Sequence, residues 1–212
     1  MSCCQCQGIE ELFSQQFVNK EISRYHAKGA DKTTRMLTEA LAGEGVVGLT
    51  LLDIGGGVGA VQHALIDAGI ERVTSVDASS AYLDVAQVEA RRRGIADRIN
   101  YQHGNFTDLA ADISPADVVT LDRVICCYPD MEKLVSLSAA RAGKVYGVVY
   151  PRDAWWVKIG LALENVYFRI QRNPFRTYSH ATRSVEAILG RNGFRRHFYR
   201  QTFVWQVAVF IR

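Results

Sequence analysis

Gly55, Gly57 and Gly59 recur at every second position, directly after the apolar run Thr50-Leu51-Leu52-Asp53-Ile54 and just before a helical stretch that opens at Ala60. Glycines in such a place let the backbone approach a ligand closely, and the first turn of the helix offers unpaired N–H groups and partial positive charge. Asp77 ends the next strand-like run, 20 residues past Gly57. A carboxylate there can accept hydrogen bonds from ribose hydroxyls, so Gly55-x-Gly57-x-x-Ala60 with Asp77 fits a nucleotide-containing ligand, nicotinamide dinucleotides included. The competing account is a tight strand-to-helix turn in which Asp77 caps the next helix through Ala78-Ser79-Ser80.

Other residue types suit proton transfer or metal binding. His26 and His180 can exchange a proton near neutral pH. Cys3-Cys4-x-Cys6 and the pair Cys126-Cys127 could hold a soft metal or a thiophilic metalloid, but two separated Cys-x-x-Cys pairs of the zinc type are absent, and no metal is expected. Five cysteines are an odd number, which argues against a disulfide framework.

Periodicity supplies the elements that position these groups. Residues 9–17 and 20–42 read as amphipathic helices, after which Gly43, Gly45 and Gly48 break the pattern. Strands are expected at 50–54, 72–77, 99–103, 117–122 and 144–150, with helices at 60–68, 81–93, 131–141, 154–170 and 182–192. Strands alternating with helices imply a parallel sheet covered on both faces. Two last strands, 194–199 and 203–211, are separated only by Arg200-Gln201-Thr202 and must form an antiparallel hairpin. The expectation is α/β: a Rossmann-like doubly wound sheet of seven strands, mostly parallel, closed by a C-terminal antiparallel hairpin.

Composition fits such a domain. The chain has 212 residues, 48% hydrophobic and 22% charged, with 17 Gly and 4 Pro, which excludes a disordered or collagenous chain. No run reaches the ~18 apolar residues of a spanning helix, and Glu10, Glu11, Lys20 and Glu21 stand where a signal peptide would be apolar, so a cytoplasmic protein is expected. The net charge of +3 hides an asymmetry, because residues 141–212 hold 13 Lys+Arg against 3 Asp+Glu. That last third, at +10, could attract an acid-bearing substrate, an anionic membrane face or nucleic acid, or be a solvated surface.

Asp53-x-Gly55-x-Gly57-x-Gly59 resembles the first motif of the class I S-adenosylmethionine-dependent methyltransferases, and the resemblance extends from Leu49 to Arg212. It implies S-adenosylmethionine as cofactor. Gly55, Gly57 and Gly59 would make room for it, Asp53 would help to hold its amino-acid end, and Asp77 with Ala78 would receive the ribose. Gly104-Asn105-Phe106 matches the family's Gly-Asp-Phe-like segment, in which Asn105 would accept from the adenine amino group and Phe106 would pack on the ring. Asn105 departs from the acidic residue usual there. The family also implies a helical lid, here residues 1–48, ahead of a cofactor-binding domain at 49–212.

Methyl transfer is an in-line displacement, so positioning supplies much of the rate and a general base is needed only for a protonated acceptor. The family's acceptor pocket lies beyond strands four and five. This places Asp122, Cys126, Cys127, Tyr128, Arg152, Arg176 and Tyr178 around it, with Tyr25 from the lid, and makes Asp122, His26 and His180 the candidate bases. Asp122 would face the cofactor as well. Residues 153–170 are too apolar for a one-faced helix and would wall a bulky acceptor, form a homodimer seam or belong to the core. Segments 25–29, 122–130 and 178–180 are similar to those of bacterial proteins named after magnesium-protoporphyrin methyltransferases. A small, hydrophobic, acid-bearing acceptor is expected, and nucleic acid is not. Alternatives are a thiol-based metal or metalloid methyltransferase, a cofactor-binding sensor, or a nicotinamide oxidoreductase.

Overall fold

A computed structural model describes residues 4–212 of the chain, with side chains from residue 7 onward. Cys3 and the side chains of Cys4 and Cys6 therefore lie outside the described residues. Three helices come first, α1 (Cys4–Leu12), α2 (Gln15–Lys28) and α3 (Lys32–Gly43). The single helix expected over 20–42 is in fact broken, because Gly29 takes φ +72° and its N–H closes α2 on the carbonyl of Tyr25 before Asp31 starts α3. A left-handed residue of this kind terminates a helix at little cost only when it is glycine.

Alternation of strand and helix follows: β1 (Thr50–Ile54), α4 (Ala60–Asp67), β2 (Arg72–Asp77), α5 (Ser80–Arg92), β3 (Ile99–His103), the short α6 (Phe106–Leu109), β4 (Ala116–Asp122), α7 (Met131–Arg141), β5 (Ala142–Pro151), α8 (Trp155–Ile170), α9 (Thr182–Arg191), β6 (Arg195–Gln201) and β7 (Trp205–Ile211). The sheet order is β3-β2-β1-β4-β5-β7-β6, with β1 to β5 parallel and β7 antiparallel to both β5 and β6. This is the expected architecture. Strand order reverses between β1 and β4, and in an open α/β sheet the crevice at the carboxyl ends of such strands is where ligands bind.

Both faces of the sheet are covered by apolar side chains. Leu134 and Val135 of α7 with Val185, Ile188 and Leu189 of α9 pack against Leu52, Leu121, Tyr146 and Phe210 on one side. On the other, Leu37 and Leu41 of α3 join Val61, Leu65 and Ile66 of α4 over Val118, Val145 and Val209. Burial on two faces explains why the central strands read as continuous apolar runs rather than alternating ones. A Cβ on Gly147 of β5 would stand 2.9 Å from Leu37 and 3.1 Å from Leu41, so α3 lies directly on the sheet and is part of the core. Helices α1 and α2 lie over the carboxyl-end crevice, and α3, packed on the sheet, brings Thr34 to its edge.

In α8 the residues buried are Val157 and Phe168, while most of its other apolar side chains face outward. Phe168 packs with Ile9 and Phe175 in a small buried cluster, and no α8 residue lines the crevice. Among the described residues no helix is long and apolar enough to cross a membrane.

Candidate functional site

A cavity of about 500 Å³ opens at the carboxyl ends of β1, β2 and β4 and is roofed by α1 and α2. The glycine turn forms its floor. Gly55, Gly57 and Gly59 all adopt left-handed φ angles, +69°, +54° and +87°. Their surroundings differ, however. A Cβ on Gly55 would stand 2.4 Å from Val124 and one on Gly59 2.9 Å from the His63 ring, whereas at Gly57 the nearest atom is a Tyr82 ring carbon at 3.9 Å. Gly55 and Gly59 are thus required by packing inside the protein. Gly57 alone leaves open a space that faces the cavity.

Asp77 is fixed by backbone. The Gly57 N–H donates to its Oδ2 at 3.0 Å and the Ser79 N–H to its Oδ1 at 2.9 Å. Burial raises its pKa, and these two donors oppose the rise. Each oxygen keeps a lone pair for a further donor, which suits a ligand with two neighbouring hydroxyls. Asp53 lies deeper. Thr120 donates to one oxygen at 2.7 Å and Gln62 to the other at 3.0 Å, while Gln62 also bonds Ser75 at 2.8 Å. Burial pushes its carboxyl up to about 6, with the Thr120 and Gln62 hydrogen bonds pulling the other way. A carboxylate so desolvated gains from a cationic group nearby.

Phe106 and Ala78 line the cavity; Asn105 does not. Its Oδ1 accepts from the Thr107 N–H at 3.3 Å and its Nδ2 donates to Asp108 at 3.0 Å, so the side chain starts α6 instead of facing a ring.

The rim is a web of side chains from three elements. The Thr34 hydroxyl donates to Asp122 Oδ2 at 2.5 Å; the Arg123 guanidinium reaches Asp122 at 3.2 Å, Asp31 at 2.7 Å and Thr34 at 2.9 Å. Arg24 bonds Asp31 and, at 2.8 Å, Glu21. Arg24 foremost, against the pull of burial, holds the Asp31 carboxyl below its usual range. Arg123 carries φ +63°, an unfavourable angle for a residue with a Cβ, and one that persists where surrounding bonds over-determine it. Glu21, Arg24, Asp31, Thr34 and Arg123 all line the cavity; Arg123 falls in the segment after strand four expected there, and the other four carried no signal in the sequence.

Several expected residues sit elsewhere. Tyr25 lines the cavity, its hydroxyl 3.1 Å from both His63 Nδ1 and Arg93 Nη2. His26, one residue on, turns away to Glu89 at 2.9 Å. His180 Nε2 lies 3.1 Å from the Ile125 carbonyl and 2.9 Å from that of Tyr128, and burial lowers its pKa against the pull of those carbonyls. Tyr178 stacks on His180 behind the wall. Cys127 and Tyr128 face the cavity; Cys126 is buried behind them, its sulfur 3.9 Å from that of Cys127. That contact and burial hold the Cys127 thiol well above its ordinary range. Arg152 donates to the Thr202 carbonyl at 3.1 Å and lies over Trp156, and Arg176 donates to the carbonyls of Asn173 and Phe175. Neither arginine lines the cavity. Among the described residues no group of three or more His, Cys, Asp or Glu is placed to hold a metal.

Comparison with known proteins agrees with this geometry. Residues 52–150 match the methyltransferase domain family. Ribosomal protein L11 methyltransferase from Alteromonas mediterranea is 32% identical over 123 residues, which is 55% of this chain and 42% of that protein. The Photobacterium profundum protein of the same name is 29% identical over 93 residues, 43% of this chain and 32% of its own length. The chain thus spans less than half the length of the curated relatives it matches. Among solved structures, magnesium protoporphyrin IX methyltransferase from Synechocystis PCC 6803 with bound SAH superposes with a TM-score of 0.76 over 96% of this chain and 98% of that one, at 17% identity. Residues 52–150 thus resemble a methyltransferase domain in sequence, and nearly the whole chain shares the fold of that solved S-adenosylmethionine-dependent methyltransferase.

Proposed function

We propose that this chain transfers a methyl group from S-adenosylmethionine to a small, largely apolar acceptor bearing an acid group. The carrying observation is the space facing Gly57 between two buried carboxylates: Asp77 with lone pairs for ribose hydroxyls, and Asp53, raised to about 6, suited to an ammonium. The cofactor supplies an electrophilic methyl group on sulfur. The protein's part is to hold the acceptor in line, and Val124, Cys127 and Tyr128 from the loop after β4 with Ile9 of α1, Phe13 of the α1–α2 link and Phe17 of α2 supply the apolar walls for that. Helices α1 and α2 act as the lid. A cavity closed in this way favours a small acceptor over the protein substrate in the curated relatives' name.

The acid group is assigned to Arg24 and Arg123, the cations lining the cavity, in place of Arg152 and Arg176. Of the three bases expected, Asp122 borders the cavity and is the one assigned; its lone pairs beyond the Thr34 and Arg123 bonds can take a proton. The high pKa of Cys127 favours a packing role over thiolate ligation, which disfavours the metal and metalloid reading.

Methyl-labelled cofactor offered with aromatic carboxylates, phenols and quinols is the test. Label should appear in an acid-bearing acceptor, and Asp122→Asn should lower kcat by about 100-fold with cofactor affinity kept. Tight S-adenosylhomocysteine binding with no methylated product across the panel would point to a sensor, and nicotinamide binding instead would point to an oxidoreductase.

A further inference from the structure

Helix α8 presents an apolar stripe to solvent. Trp155, Ile159, Leu163, Val166 and Ile170 are 52% to 72% exposed and follow one another at intervals of 4, 4, 3 and 4 residues, which aligns them on one face. Val157 and Phe168 point the opposite way, into the protein, where Phe168 meets Phe175 at 5.4 Å between ring centres. Phe203, 74% exposed at the β6–β7 link, stacks on Trp156 and widens the patch.

Charge around the stripe indicates its occupant. Lys158, which pairs with Asp153 at 2.5 Å, and Arg169 fall on the helical wheel beside the stripe, and exposed Arg172 follows the helix end. Glu164, the helix's acidic residue, lies across the helix and bonds the Thr177 hydroxyl at 2.9 Å. Lysine and arginine flanking an apolar face with tryptophan at its end match a helix lying in a lipid headgroup layer. With 16 residues, about 24 Å of helix, it is too short to span a bilayer and long enough to lie on one.

We propose that α8 docks the protein on an anionic lipid bilayer, inserting the Trp155–Ile170 stripe while Lys158, Arg169 and Arg172 meet the headgroups. A second copy of the chain is the weaker candidate, because it would set two segments of +10 against each other. The proposal does not depend on what the cavity binds.

Flotation of the full chain with phosphatidylcholine vesicles containing about one third phosphatidylglycerol, against pure phosphatidylcholine, tests it. The chain should float with the anionic vesicles, with a blue shift of tryptophan emission and partial release by salt. Ile159→Glu/Leu163→Glu should weaken binding by about tenfold or more, and Lys158→Glu/Arg169→Glu should weaken it chiefly on anionic vesicles. The glutamates enter exposed positions, and an unchanged thermal midpoint confirms that the fold is kept. Absence of flotation, or flotation indifferent to the apolar variant, overturns the proposal. A concentration-dependent dimer in sedimentation velocity that Ile159→Glu/Leu163→Glu abolishes, without vesicle binding by the parent chain, would assign the stripe to a second copy.

Discussion

The floor of the cavity and its rim are built from different materials. On the floor, Asp77 is held by the backbone N–H groups of Gly57 and Ser79, and Asp53 by Thr120 and Gln62, all within or beside the sheet. At the rim, Asp31, Asp122, Arg24 and Arg123 are held by each other's side chains across the gap between the lid and the end of β4. Backbone donors cannot leave without unfolding the turn, and Thr120 and Gln62 are fully buried, whereas partly exposed ion pairs exchange with water at little cost. The floor should therefore be rigid and set cofactor affinity. The rim should be adjustable and set access of the acceptor.

The largest effect should follow Gly57→Val. A side chain there adopts an unfavourable left-handed angle and occupies the space facing the cavity. Calorimetry should find S-adenosylhomocysteine binding weakened by about 100-fold or more, since the valine side chain would take the open space proposed for the cofactor. Retained affinity would mean that the cofactor lies elsewhere. Asp77→Ala comes next. It removes the acceptor of two backbone N–H groups together with the ribose contacts proposed for it, a loss of roughly 1.5 to 3 kcal/mol in binding, or about 10- to 150-fold in Kd.

The floor also predicts a pH dependence of known sign. The Asp53 carboxyl, at about 6 in the folded protein, lies above its ordinary 3.8, so the folded state binds the proton more tightly than the unfolded chain. Its contribution to stability is fully present below the unfolded value and falls as pH rises toward about 6. A cationic ligand favours the ionised form, so S-adenosylmethionine affinity should rise with pH up to about 6, by at most about tenfold per unit, then level off. Asp53→Asn should flatten both curves, and a parent affinity that is constant from pH 5 to about 7 would remove Asp53 from the ligand's amino end.

The same contrast explains what could be read from sequence. The glycine turn and Asp77 are local signals, a spacing of two and the end of a short strand, and parallel strands buried on both faces announce themselves as apolar runs. The rim carries no such signal, since Thr34 and Asp31 meet Asp122 and Arg123 from 88 and 92 residues away. Gly29-Ala30-Asp31 did hold a legible stop and restart, but the apolar period continues through it and masks the break between α2 and α3. Likewise the β6–β7 link falls at 202–204 instead of 200–202, because Phe203-Val204 extends the apolar pattern of β7 into the turn. His26 shows the limit most plainly: next to Tyr25 in sequence, it projects to Glu89 while Tyr25 faces the cavity.

Asp31→Asn should give the smallest effect and separates rim from floor most cleanly. Its side chain is 27% exposed, and its pairing with Arg24 and Arg123 is of the partly solvated kind that contributes about 1 kcal/mol or less. Arg24 and Arg123 depress the Asp31 pKa in the folded state, so this stabilisation is present above the ordinary value of 3.8 and disappears as pH falls through the lower folded value. Urea denaturation should accordingly show the variant slightly less stable than the parent at pH 7 and indistinguishable from it in strong acid. S-adenosylhomocysteine affinity should stay within about twofold, because none of the floor's hydrogen bonds involves Asp31. The acceptor's KM should move by several-fold, since losing the shared carboxylate releases one donor group on each of Arg24 and Arg123 for the acceptor's acid group, while Glu21, Asp122 and Thr34 keep their own bonds. Equal shifts in cofactor affinity and acceptor KM would show that floor and rim respond as one unit.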